Sequence, residues 1–416
     1  MMNYNFPTGW TQCNLTDICS IRTGKYDANH AVENGKYRFY TCSSTYSFCN
    51  TRSFEGECII VPGNGDIGQV YYYDGVLEAY QRTYVLEKIR ILPKYLYYHL
   101  FWNWRHINSD KQYGSTIRYV RIGNFEKYIV SLPPLPEQHR IVTKIDSLFS
   151  ELDNGVALLK TIKAQLRFYR QAVLRDVFNC FSELSTIMKI TSLVTSGSRG
   201  WAEYYSDNGA KFIRIGNLTR DGIKIDLTDV QCVTLPEKVE GARSLLMEGD
   251  VLISITADLG SIGFVETDFG EAYINQHIAL VRFRNKVQSK FYAWFLRSDK
   301  GQVELLKNKR GAGKLGLGLD DIRNAKIPIV TDEEALYVLQ KIESRLSVCD
   351  KLEQTIDQTL ALSASLRQSI LKKAFEGRLV PQDPDDEPAE KLLERIQAEK
   401  AAVLTKQKQT RKRVNE

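Results

Sequence analysis

Residue types capable of chemistry are scattered through this chain, but few stand at the spacing that chemistry requires. Gly63-Asn64-Gly65-Asp66-Ile67-Gly68 has the G-x-G-x-x-G form of a dinucleotide-phosphate loop. That use needs a helix to follow, with its N-terminus on the pyrophosphate. The next residues, Gln69-Val70-Tyr71-Tyr72-Tyr73, favour a strand, and a hairpin turn is the better reading. Leu132-Pro133-Pro134-Leu135 has the two prolines of a loop that presents an amine for methyl transfer. It lacks the polar residue before them and the aromatic after them that would hold and stack a base. The prolines instead suit a stop between a strand and a helix that starts near Glu137. No G-x-x-x-x-G-K-[ST] phosphate loop occurs. The five histidines (His30, His99, His106, His139, His277) show no metal-ligand spacing, and the eight cysteines include no C-x-x-C pair. Reduced thiols in a cytoplasmic protein are expected. The residues point to a binder without catalytic or metal-ligating positions of its own.

Two basic stretches are the strongest binding candidates. The first holds Arg105, Lys111, Gln112, Tyr113, Thr116, Arg118 and Arg121, and the second holds Lys307, Lys309, Arg310 and Lys314. Gly114 aligns with Gly311 at an offset of 311 − 114 = 197, with different flanks: Gln112-Tyr113-Gly114 against Lys309-Arg310-Gly311. A glycine-containing basic loop can lay its backbone against phosphates and send Gln, Arg or Lys to base edges. A solvated charged surface is the plain alternative, and recurrence at equivalent places counts against it. Gln81-Arg82 and Asn275-Gln276-His277, beside aligned strands, are secondary candidates, with Gln276 and His277 the stronger of them. A net charge of +6 permits a polyanionic partner without demanding one.

These stretches are positioned by a duplication. The segment from Leu135 to Phe178 returns as Asp332 to Phe375 at the same offset, with Asp153/Asp350, Arg170/Arg367, Gln171/Gln368 and Phe178/Phe375 identical. Weaker similarity extends upstream, where Asn34–Phe39 matches Asn208–Ile213 and Gly56–Ile60 matches Gly249–Ile253, leaving an insertion around 219–239 of the second copy. Each copy is expected to hold a mixed α/β globular part followed by a long helix. The strands read as Glu57–Val61, Gln69–Tyr73 and Arg82–Lys88, then Val251–Ile255, Gly263–Glu266 and Ile278–Phe283; helices read as Pro93–Trp104 and Lys286–Leu296. In the long segments Ile145, Leu148, Leu152, Leu159, Ile162, Leu166, Tyr169 and Val173 follow steps of three and four, broken at Gly155. Ile342, Cys349, Leu352, Ile356, Leu366 and Ile370 fall on the equivalent stripe. A helix of roughly 40 residues rises about 60 Å and would expose such a seam alone. The other copy is its obvious partner, giving an antiparallel coiled coil with pseudo-two-fold symmetry.

The segments LPPLPEQHRIVTKIDSLFSELD and LRQSILKKAFEGRLVPQDPDDEPAEKLLERI, together with Phe212–Leu218 and Asn275–Ile278, resemble the specificity subunits of type I restriction–modification systems. The resemblance covers nearly the whole chain. It implies target-recognition domains at 1–134 and 181–330, helical spacers at 135–180 and 331–380, and a tail at 381–416 that docks methyltransferase subunits or is partly disordered. It further implies that each recognition domain reads half of a bipartite duplex DNA target, and that the chain itself is non-catalytic. The expected partners are duplex DNA, two methyltransferase subunits and, through them, restriction/translocase subunits; no membrane is involved. The chain would bind no cofactor, with S-adenosylmethionine, ATP and Mg on the partner subunits. Where the second copy has Asn275-Gln276-His277, the first lacks a clear equivalent, having Ala79-Tyr80-Gln81-Arg82. A two-headed coiled-coil scaffold that joins proteins and never touches nucleic acid is the alternative.

Overall fold

The computed structural model describes residues 7–109, 113, 118–235, 243–307, 309 and 316–414. The chain forms two compact units, Met1–Ala157 with Thr359–Glu416, and Leu158–Gln358. The division runs through the middle of both long helices, Leu135–Phe178 and Asp332–Phe375, of 44 residues each. Among the described residues no helix is long and apolar enough to cross a membrane.

Within unit 1 the start of the first long helix lies beside the end of the second, with Arg367 donating to Asp153. Within unit 2 the remaining halves pair in the same antiparallel sense, and Arg170 lies 2.6 Å from Asp350 and 3.1 Å from Glu353. Arg170 and Arg367 are 197 apart, as are Asp153 and Asp350, so the two ion pairs are one contact made twice. Lys163 adds a bond of 2.7 Å to Asp357 in unit 2.

The seam itself differs from the expected stripe. In the first helix it runs through Ile145, Phe149, Leu152, Val156, Leu159, Lys163, Leu166, Arg170, Val173 and Val177, each buried or half-buried. In the second it uses the positions 197 later: Ile342, Leu346, Cys349, Glu353, Ile356, Leu360, Ser363, Arg367, Ile370 and Ala374. Leu352 and Leu366, assigned to the seam from apolar spacing, are 47% and 49% exposed and lie off it, as does Tyr169. The physical reason is that Lys163, Arg170 and Arg367 take seam positions, lay their stems along the interface and carry their charges out to carboxylates of the opposite helix. Gly155 is exposed and interrupts nothing.

Local signals set the helix ends. Gln138 donates from its backbone to the Pro134 carbonyl at 3.0 Å, and its side-chain oxygen accepts from the Leu92 N–H at 3.1 Å. Thr331 and Glu334 form a reciprocal capping box, with the Thr331 N–H donating to the Glu334 carboxylate at 2.8 Å. The second helix stops at Gly377, whose φ of +69° is the left-handed conformation of a C-terminal cap. The chain beyond it returns onto unit 1. Ala389 and Ile396 are buried, Arg90 donates to the Ile396 carbonyl at 3.2 Å, and Arg140 meets Asp386 at 2.6 Å.

Each long helix is entered from a two-stranded antiparallel ribbon, Thr11–Asn14 with Ile129–Leu132, and Leu184–Thr186 with Lys326–Pro328. In unit 1 a six-stranded sheet orders Ser20–Thr23, Thr83–Glu87, Phe54–Pro62, Tyr71–Ala79, Tyr37–Tyr40 and Ser47–Cys49. The helix Pro93–Asn108 packs on it with Tyr95, Leu96 and Trp104 fully buried. Unit 2 repeats the pairing but splits the equivalent of the long strand Tyr71–Ala79 into Ile262–Phe264 and Ala272–Ile274. Two four-stranded sheets replace the single one. The short strand Gln231–Val233 lies against Ala210–Phe212 as Ser47–Cys49 lies against Tyr37–Phe39, so the added residues flank that strand rather than form it. Burial pushes the thiols of Cys13 and Cys19 up to about 12, which leaves them inert packing groups.

Candidate nucleic-acid interface

The two units build the same loop junction from different residues. In unit 1 the strand Phe54–Pro62 continues to Gly63, whose N–H donates to the Arg82 carbonyl at 2.9 Å and whose carbonyl accepts from Val120 at 2.9 Å. In unit 2 Ile255 does the same with His277 and Leu317, both at 3.0 Å. The following residues also correspond: Asn64 bridges Tyr119, and Thr256 bridges Gly316. Next comes a left-handed residue in both, Gly65 at φ 72° and Ala257 at φ 56°. No helix follows Gly68; residues 63–70 join two antiparallel strands, so the glycine motif is the hairpin connection expected of it.

This register makes Tyr80-Gln81-Arg82 the counterpart of Asn275-Gln276-His277. Each is a tight turn, closed by Thr83 N–H to the Tyr80 carbonyl at 2.8 Å and by Ile278 N–H to the Asn275 carbonyl at 3.2 Å. The phrase missing from the first copy is therefore present as geometry. Its middle glutamine is shared, and its last residue differs.

In unit 1 the turn opens on a cleft of about 410 Å³ lined by Gly63, Asn64, Gln81, Arg82, Tyr84, Tyr119, Val120 and Arg121. Arg121 is exposed but engaged with two aromatic side chains. Its guanidinium sits 4.3 Å from the Tyr113 ring centre and donates to the Tyr119 hydroxyl at 3.0 Å. Tyr113 and Tyr119 stack with ring centres 5.6 Å apart. Gln81 donates to Asp27 at 3.0 Å, whereas the exposed Arg82 guanidinium has no partner among the described residues.

In unit 2 the turn carries no guanidinium. His277 Nδ1 lies 2.9 Å from Thr256 Oγ1, and Nε2 lies 2.9 Å from the Gln276 amide nitrogen. Both ring nitrogens thus lie within hydrogen-bond distance of a neutral polar side chain. The position 197 after Arg121 is Gly318. The first turn thus presents an arginine beside aromatic rings, and the second presents a glutamine and a histidine beside a threonine.

The remaining sequence candidates fall in several places. Arg105 is paired with Asp66 at 2.7 Å, and Lys307 with Glu304 of its own turn at 2.6 Å. Arg118 is exposed, and its carbonyl accepts from Gly65 at 3.1 Å, anchoring one end of the first basic loop to the junction. Lys309 is exposed. Lys111, Gln112, Thr116, Arg310 and Lys314 lie outside the described residues. Asn64, Tyr119 and Thr256 were missed by sequence reasoning. The signal is the glycine hairpin itself, whose Gly63-Asn64-Gly65 lies in register with Ile255-Thr256-Ala257.

The model of the type I restriction modification DNA specificity domain matches this chain twice, over residues 7–167 and 185–362. The chain belongs to that family. Its two domains are therefore the DNA-recognition domains of a type I specificity subunit, and the two loop junctions are the corresponding part of each copy. The chain is 26% identical over 442 aligned positions to the type I restriction enzyme EcoDI specificity subunit of Escherichia coli, covering 95% of this chain and 96% of that one. The EcoAI specificity subunit of Escherichia coli is 58% identical over a shorter stretch of 75 residues, 18% of this chain and 12% of the relative. The HsdS subunit from Thermoanaerobacter tengcongensis shares the fold at a TM-score of 0.55 and 18% identity, covering 91% of this chain and 99% of that one. A second solved chain, from work on complex assembly and conformational transition of the type I R-M system, gives a TM-score of 0.70 at 18% identity over 90% of this chain and 100% of its own.

Proposed function

We propose that this specificity subunit reads a bipartite duplex target, one half-site per recognition domain, while its long helices set the spacer. The observation that carries the reading is the junction built twice: one backbone scaffold presents Gln81-Arg82 with Asn64 in one unit and Gln276-His277 with Thr256 in the other. A shared scaffold with different side chains is what two related but unequal half-sites require, because base-edge contacts specify and backbone contacts position. Exposed apolar residues on the long helices (Val348 and Leu352 in unit 2, Leu362 and Leu366 in unit 1) support the docking of methyltransferase subunits there. The chain itself is non-catalytic in this reading and acts in the cytoplasm. S-adenosylmethionine, ATP and Mg belong to methyltransferase and restriction/translocase partners, with two methyltransferase subunits per chain.

Binding of the assembled complex to duplexes over a range of salt tests this. Affinity for a preferred duplex should exceed that for scrambled duplexes by about 10³-fold or more and fall steeply with salt. Equal affinity for all duplexes would reject sequence reading.

A further inference from the structure

Resting on that reading, we propose that Arg82 is the residue that reads a guanine in the first half-site, and that its replacement by His277 in the second copy makes the two half-sites differ. Arg82 ends the turn whose closing bond and whose bond to the neighbouring strand both recur in unit 2, so the two side chains leave the scaffold from equivalent positions. In its cleft Arg121 lies against the Tyr113 ring and donates to the Tyr119 hydroxyl. Arg82 has its donors unspent among the described residues, and it stands beside two neutral amides, Gln81 and Asn64. A guanidinium fork matches the O6 and N7 acceptors of guanine in the major groove, whereas amides suit adenine or mixed edges.

A phosphate contact is the competing role for a free arginine. Phosphates present the same charge in both half-sites, so a phosphate-binding position should remain cationic in both copies. This one does not keep its guanidinium: a histidine stands there, with Nδ1 and Nε2 occupied by Thr256 and Gln276.

The full chain assembled with its methyltransferase subunits, selecting from duplexes randomised across both half-sites, provides the test. Arg82→Lys keeps the charge and loses the fork. It should reduce discrimination at one guanine of one half-site roughly 5- to 100-fold, leaving the other half-site unchanged. Arg82→Ala should do the same with some further loss of overall affinity. The assignment is overturned if Arg82→Lys keeps the wild-type motif, or if Arg82→Ala weakens all duplexes equally. A wild-type complex that selects no motif would overturn the functional reading beneath it, a result distinct from either.

Discussion

Arg170 with Asp350 and Arg367 with Asp153 show how a residue-level identity in the repeat becomes a contact. The sequence displayed both identities, Arg170/Arg367 and Asp153/Asp350, but not their pairing, because the partners are 180 and 214 residues apart and meet only when the helices run antiparallel. His99 illustrates the opposite case, a residue whose role no spacing could reveal. Its Nδ1 lies 2.9 Å from the Tyr128 hydroxyl, its Nε2 accepts from the Ser131 N–H at 3.2 Å, and Phe375 packs against its ring. Burial pushes its pKa down to about 3. A histidine whose folded pKa is depressed stabilises the fold fully above its unfolded value near 6.5, and that stability is lost as pH falls from there towards 3. The expected loss is about 1.4 kcal/mol per pH unit in that window. Melting of wild type and His99→Phe between pH 7 and 4 should give a shallower pH slope for the variant. Equal slopes would contradict a buried neutral imidazole.

The long helices were legible as elements and misread in register. Counting apolar residues placed Leu352 and Leu366 on the seam, because the true seam spends several positions on Lys163, Glu353, Ser363, Arg170 and Arg367. Ion pairs this exposed contribute roughly 0–1 kcal/mol, so they set register more than stability. Truncation separates the two stripes: Ile356→Ala, at a position 5% exposed, should cost about 2–4 kcal/mol, and Leu352→Ala less than about 0.5 kcal/mol. Equal losses in denaturant unfolding would restore the apolar-count register. The glycines of these helices divide similarly. A Cβ at Gly155 meets nothing within 4 Å, so Gly155→Ala should stabilise by about 0.5–1 kcal/mol. At Gly377 φ is positive and a Cβ would lie 2.3 Å from Pro7, so Gly377→Ala should destabilise by about 1 kcal/mol or more. Calorimetry on the two variants should move Tm in opposite directions.

At the scale of the whole molecule, duplication was the strongest signal and it carried the fold class: mixed α/β parts, each followed by a long helix. The strands Glu57–Val61 and Ile278–Phe283 were readable as apolar runs bounded by turn residues, because they are buried at nearly every position. The loop junction was not, since its correspondence lies in backbone bonds, Gly63 to Arg82 in one unit and Ile255 to His277 in the other, while the side chains diverge. The return of 381–402 onto unit 1 was equally hidden, because Ala389 and Ile396 are too few to announce a buried face. Sequencing of methylated sites in cells carrying the chain with its methyltransferase partners tests the central claim most directly. Wild type should mark two short half-sites at fixed separation, and Gln276→Ala should alter one half-site while leaving the other half-site and the separation intact. Simultaneous change in both half-sites, or an unchanged motif, would contradict the assignment of one half-site to each junction.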